Sequence, residues 1–130
     1  VLVADTSAWI EYLRRTESPV DLALTAAVDA GGVTLIEPVK AELLVGARTN
    51  AELRELHRLV DGLDIELIRP RDDFDRAVEI HLRCRTVGVT PRGLMDCLIA
   101  AVTERSGLAL LHADTDLMAI ARVIGLEEVL

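Results

Sequence analysis

The chain has 130 residues, 51% of them hydrophobic but only 2% aromatic, and a formal net charge of −8. This fits one domain, residues 1–130, with an aliphatic core. It argues against the broad basic footprint of most nucleic-acid-binding domains. No apolar run approaches the roughly 20 residues that cross a bilayer, and no charged-then-apolar leader precedes a cleavage site, so a cytoplasmic chain with no membrane partner is expected. Val1 in place of an initiator Met reads as a trimmed or processed start.

Val1-Leu2-Val3-Ala4 is too short for a helix and reads as a strand buried on both faces. Asp5 then falls at its carboxyl end, where open α/β sheets place ligands, and Thr6 or Ser7 can cap the helix that follows to Arg15. Ile10 and Leu13 are expected to face inward there, with Trp9 or Tyr12 at the margin. Ser18-Pro19 starts a second helix, which Gly31-Gly32 stops. A strand over 33–36 precedes a helix opened by Pro38 and carrying Glu42. Asn50 is expected to cap the next helix, ended by Gly62. A strand over 65–68 is closed by Pro70, and Asp72 caps a long helix whose buried side is read as Phe74, Ala77, Val78, Ile80, His81 and Leu82. After a loop from Gly88 to Gly93, Leu94–Ser106 is a strongly apolar helix. A strand over 108–111, a turn over 112–116, a helix over 117–124 and a last strand over 127–130 complete the chain. Alternating strands and helices predict a mainly parallel sheet of about five strands with helices on both faces, a three-layer α/β/α fold.

The two cysteines, Cys84 and Cys97, have no zinc-like spacing and read as core residues. The histidines His57, His81 and His112 are scattered, so a soft-metal site is not expected.

Four carboxylates stand in unusual places. Glu42 has apolar neighbours, although taken alone it reads first as an exposed glutamate on the solvent side, since Glu is rarely buried unpaired. Asp96 lies in the apolar run Leu94-Met95-Asp96-Cys97-Leu98-Ile99, where a helix N-terminus alone would favour it. Asp114 and Asp116 follow a strand, and either can cap the last helix. Read together, Asp5 and Asp114 lie on one edge of a parallel sheet, with Glu42 and Asp96 on helices able to flank it. Two such acids about 5 Å apart repel by roughly 3 kcal/mol at an effective dielectric near 20. Protons or a cation must offset that. Oxygen ligands alone select Mg²⁺ or Mn²⁺, and such a site can activate water for in-line phosphoryl displacement.

Asp5-Thr6-Ser7-Ala8-Trp9-Ile10, Glu42-Leu43-x-x-Gly46, Asp96-x-x-Ile99-Ala100-Ala101 and Asp114-x-Asp116 resemble, in order and spacing, the PIN-domain ribonucleases, and more narrowly the VapC-type toxins of toxin–antitoxin pairs. The resemblance implies a PIN-like fold, Mg²⁺- or Mn²⁺-dependent RNA cleavage leaving a 5′-phosphate and a 3′-hydroxyl, and inhibition by a VapB-type antitoxin. It places Asp5, Glu42, Asp96 and Asp114 as the catalytic acids. Asp5 and Asp96 become the nearest metal ligands, with Asp114 and Asp116 beside them. Thr6 or Ser7 would orient a carboxylate or a water. Two departures stand out: His112-Ala113 replaces the hydroxyl-plus-basic pair often seen before the fourth acid, and Leu117 stands where an aromatic is common.

An acidic chain would meet RNA through the metal and a local arginine patch, for which Arg14, Arg15, Arg48 and Arg92 are candidates. A homodimer would align two such patches, with Trp9 and Tyr12 either at that interface or in the core. The antitoxin is expected to place a basic residue in the acidic pocket beside an amphipathic segment in an apolar groove. tRNA is one candidate substrate. The alternatives are a non-catalytic PIN-fold binding module and a phospho-receiver domain. A receiver needs paired acids after the first strand and a lysine near the last. Here a single Asp follows the first strand, and the only lysine is Lys40.

Overall fold

Four parallel strands, β1 (Leu2–Ala4), β2 (Val33–Ile36), β3 (Asp64–Glu66) and β4 (Ala109–Leu111), form one sheet in the order β3-β2-β1-β4 in the computed structural model, which describes residues 1–130. Leu2 pairs with Val33 on one side and Ala109 on the other, and Thr34 with Asp64. Seven helices connect and flank the strands: α1 (Thr6–Arg14), α2 (Pro19–Asp29), α3 (Glu37–Val45), α4 (Asn50–Asp61), α5 (Pro70–Thr86), α6 (Leu94–Ser106) and α7 (Thr115–Ile124). None is long and apolar enough to cross a membrane.

The three-layer parallel architecture holds, with four strands rather than about five. Glu127–Leu130 contributes a single bridge, Leu110 to Glu128. Only Leu110 exchanges backbone bonds with it, donating to Glu127 O at 2.8 Å and accepting from Val129 N at 2.9 Å.

Local chemistry sets most helix ends. The Ser18 side chain accepts from Asp21 N, with Pro19 at the first position of α2. Gly107 and Gly125 close α6 and α7 in the left-handed region, at φ 70° and 69°, where a Cβ would be strained. α4 is capped by Thr49, not Asn50: the Thr49 hydroxyl accepts from Glu52 N at 3.1 Å. α5 begins at Pro70 rather than behind Asp72, so the proline opens the helix and Asp72 sits in its first turn.

Two helices bury a different face from the one their apolar residues suggest. On α5 the core stripe is Asp73, Ala77, Ile80 and Cys84, while Phe74, Val78 and Leu82 form a second row and stay exposed. Both rows have helical spacing. The small-residue row is the one that can approach Cys97, Ala100 and Ala101 of α6. On α1 the buried residues are Ala8 and Trp9, whereas Ile10 and Leu13 are exposed. Trp9 is fully buried, packed edge-to-face on Tyr12 with ring centroids 5.3 Å apart, which removes it from any subunit interface. The main core joins β1, β2 and β4 to Trp9, Leu24, Val39 and Ile99. Each such fully buried aliphatic contributes about 1.5–3 kcal/mol. Cys84 and Cys97 are free and buried, and burial pushes the Cys97 thiol up to about 11.

Beyond the core, Arg105 locks β3, α5 and α6 together. Its fork donates to both Asp73 oxygens at 2.8 Å, to Glu66 at 2.7 Å and to Leu67 O at 3.0 Å. Asp73 also accepts Arg69 N. The bonds from Arg105 hold the Asp73 carboxyl below its ordinary range despite burial.

Candidate active site

Strand order reverses at β1, because β2 and β3 lie on one side of it and β4 on the other. The crevice beyond the carboxyl ends at such a reversal is where open α/β sheets hold ligands. Asp5 follows β1 and Asp114 follows β4, and the Asp5 N–H donates to Leu111 O at 3.1 Å.

Asp5 is only 4% exposed. Its Oδ1 accepts from Ser7 Oγ at 2.7 Å and from Ala8 N at 3.1 Å, so it both caps α1 and faces the crevice. Ser7 Oγ in turn accepts the Ala113 N–H at 2.8 Å, tying the turn after β1 to the turn after β4. Of the two neighbouring hydroxyls, Ser7 is therefore the one that orients a carboxylate. Thr6 Oγ1 is buried with no partner. Burial raises the Asp5 carboxyl above its ordinary value, and the Ser7 and Ala8 bonds only partly oppose that.

Asp96 is the third residue of α6, whose N-cap Gly93 supplies no side chain. Its carboxyl is also raised, first by burial and then by the charge of Asp114, with Asp5 and Glu42 adding to it and Arg92 opposing. Three acids from other segments thus act on Asp96. Glu42 is exposed, on the α3 face toward the crevice, so its exposure and its place near the cluster are compatible.

Asp114 divides its two oxygens. Oδ1 caps α7, accepting from Asp116 N at 2.8 Å and Leu117 N at 3.4 Å. Oδ2 accepts from Arg92 Nη2 at 3.0 Å, while Arg92 Nε pairs with Asp116. Of the candidate arginines, only Arg92 meets the acids. Arg14 and Arg48 line the neighbouring groove, and Arg15 is the left-handed C-cap of α1 at φ 50°. No three His, Cys, Asp or Glu side chains stand ready to close around one metal ion.

The sequence drew attention to His112 only as a departure, and gave Glu128 no role. His112 Nδ1 accepts Asp114 N at 3.3 Å, so Nε2 carries the proton and donates to Glu128 at 2.7 Å. The pair steadies the turn that carries Asp114. A histidine just past a strand end was the available signal, but its partner lies 16 residues on.

A groove of about 660 Å³ lies between α1, α3 and α4, with Thr6 and Glu42 in its lining and Ile10, Leu13, Leu43, Leu56 and Leu59 on its floor. The aliphatic residues that α1 turns away from the core line it.

The family model of the PIN domain matches residues 2–123. The chain belongs to the PIN-domain family. It is 36% identical to Ribonuclease VapC11 of Mycobacterium tuberculosis (strain H37Rv) over 129 residues, covering 98% of this chain and 96% of that protein. The same figures hold for VapC ribonuclease Mb1587 of Mycobacterium bovis. The likeness to VapC-type toxins carried by the four motifs extends along the whole chain.

Proposed function

We propose that the chain is a Mg²⁺- or Mn²⁺-dependent endoribonuclease, the toxin of a toxin–antitoxin pair. What supports this reading most is that Asp5 and Asp114 follow the two strands flanking the order reversal of a VapC-family chain, and that Asp114, Asp5 and Glu42 all raise the Asp96 carboxyl. The donors suit a hard cation. They are all oxygen, two of them have carboxyls raised chiefly by burial, and the buried Thr6 hydroxyl next to Asp5 has no partner. Asp5 and Asp96 would hold the ion, with Asp114 and Asp116 beside them and Glu42 at the margin. When bound, a divalent ion supplies Lewis acidity at the phosphodiester and lowers the pKa of water.

The residues of the chain do the rest. Ser7 fixes the Asp5 carboxylate against rotation, and the His112–Glu128 pair steadies the Asp114 turn. Arg92, with Arg14, Arg15 and Arg48 further out, offers positive charge to the RNA backbone.

The test is cleavage of cellular RNA with 5′-end mapping, tRNA among the candidates. Wild type in Mg²⁺ should yield discrete new 5′ ends, while chelator or Asp5→Asn should yield none. Equal cleavage by Asp5→Asn would overturn the reading.

A VapB-type antitoxin fits the same geometry, with an amphipathic segment along the apolar groove and a basic side chain among the acids. Leu13→Asp, which puts a charge on the groove floor, should weaken antitoxin binding by at least about tenfold in calorimetry while leaving metal-dependent cleavage in place. Unchanged affinity would remove the groove from the interface. A homodimer and a cytoplasmic location belong to the same proposal. The unpartnered row Phe74, Val78 and Leu82 on α5 supports the dimer.

A further inference from the structure

The acid cluster already has a cation, and it belongs to the chain. Arg92 stands on the loop between α5 and α6, which Gly88 opens at φ 81° and Gly93 ends. Its side chain is 70% exposed, yet its guanidinium spans Asp114 and Asp116, whose side chains are 22% and 40% exposed. The other arginine ion pairs, made by Arg76, Arg105 and Arg122, involve none of the four acids.

The division of labour at Asp114 gives this contact its meaning. Oδ1 is engaged in the α7 cap through two backbone N–H groups, and Oδ2 is the oxygen that Arg92 holds. A cation that used Asp114 without breaking the cap would have to take Oδ2, where the positive charge of the guanidinium alongside opposes it. An isolated exposed ion pair is weak and readily exchanged. Here it faces several like charges, which hold it in place until a stronger cation arrives.

We propose that Arg92 is the resident counter-cation of the cluster and a direct competitor of the divalent ion for Asp114 and Asp116. This rests on the metal-dependent reading above and adds regulation to it. At low divalent concentration the guanidinium neutralises the site and keeps the ion out, and ion binding releases the arginine toward solvent.

Two readouts independent of activity test this in the full chain. The first is Mn²⁺ binding by calorimetry to wild type, Arg92→Gln and Asp96→Asn. Arg92→Gln should bind Mn²⁺ about three- to tenfold more tightly than wild type, the scale of a lost exposed ion pair or two, whereas Asp96→Asn should bind it far more weakly. The second is the Arg92 Nε–H resonance in isotope-labelled wild type, which should shift toward free arginine during Mg²⁺ titration, in step with occupancy. If wild type binds Mn²⁺, Asp96→Asn loses it and Arg92→Gln matches or falls below wild type, the competition is overturned while the metal site stands. If the resonance stays fixed through saturation, the displacement is overturned. If neither wild type nor Arg92→Gln binds Mn²⁺, the metal-dependent reading falls, and this inference with it.

Discussion

Asp96→Asn should lower RNA cleavage by at least about a thousandfold and, in chelator, raise the melting temperature. Both follow from one fact: Asp96 is a half-buried carboxylate surrounded by the charges of Asp114, Asp5 and Glu42. With a divalent ion present that charge is an asset, and its removal takes away ligand strength. Without one, the folded state carries repulsion that the unfolded chain escapes. The sign in pH follows. The folded-state pKa values of Asp5 and Asp96 are raised, so the native chain holds these protons more tightly than the unfolded chain. Their contribution to metal-free stability is therefore fully present below the unfolded carboxylate range, near pH 4, and is lost as pH rises through the raised native values. Asp96→Asn flattens that pH dependence. Removing a partly solvated like charge is worth about 1 kcal/mol, or about 3 °C for a domain of this size. Thermal melts in chelator at pH 4.5 and pH 7.5 check it. A lower melting temperature for the variant at pH 7.5 would mean that Asp96 is chiefly a favourable charge at the N-terminus of α6.

Arg105→Ala should be the most destabilising single change outside the aliphatic core, at about 3–5 kcal/mol. The arginine itself contributes less than this. The loss arises because Asp73, 2% exposed, keeps its charge and is left with little more than the Arg69 N–H. Against a total stability of about 5–15 kcal/mol, the melting temperature should fall by more than about 10 °C. Arg105→Lys should fall between the two, since an ammonium cannot reproduce the fork across both Asp73 oxygens. The pH dependence runs opposite to that of the acid cluster. Asp73 has a depressed native pKa, so its contribution is fully present above the unfolded carboxylate value and is lost as pH falls through the native one. Acid melts should show wild type losing this advantage and converging on Arg105→Ala at low pH. Parallel curves at every pH would mean that the pair contributes by packing alone.

These two sites differ in how much of them could be read before the fold was known. The acids were legible because each interrupts a pattern. Asp5 and Asp114 end apolar strand runs, and Asp96 stands in an otherwise apolar helix. The order of strands and helices was legible for the same reason, with Gly and Pro marking nearly every boundary. Choices between equivalent neighbours were not legible. Thr6 and Ser7 are both hydroxyls, and only the position of Ala113 N, 106 residues on, selects Ser7. The two rows on α5 have the same helical spacing, and the small residues of α6 decide which is buried. Ile10 and Leu13 read as core until α4 supplies the far wall of a groove. The Arg92 and Arg105 contacts join residues 22 to 39 positions apart, which composition and periodicity do not encode. The last expected strand is reduced to a single bridge at Leu110, a matter of tertiary pairing that the run Glu127 to Leu130 does not encode.

The most direct measurement is the anomalous signal of Mn²⁺ in crystals of the wild-type chain. A single strong peak should lie within about 2.0–2.3 Å of carboxylate oxygens from both Asp5 and Asp96, with the Arg92 guanidinium withdrawn from Asp114. A peak held by one of these aspartates alone, or no peak at the strand ends at saturating Mn²⁺, would contradict the shared-ion site.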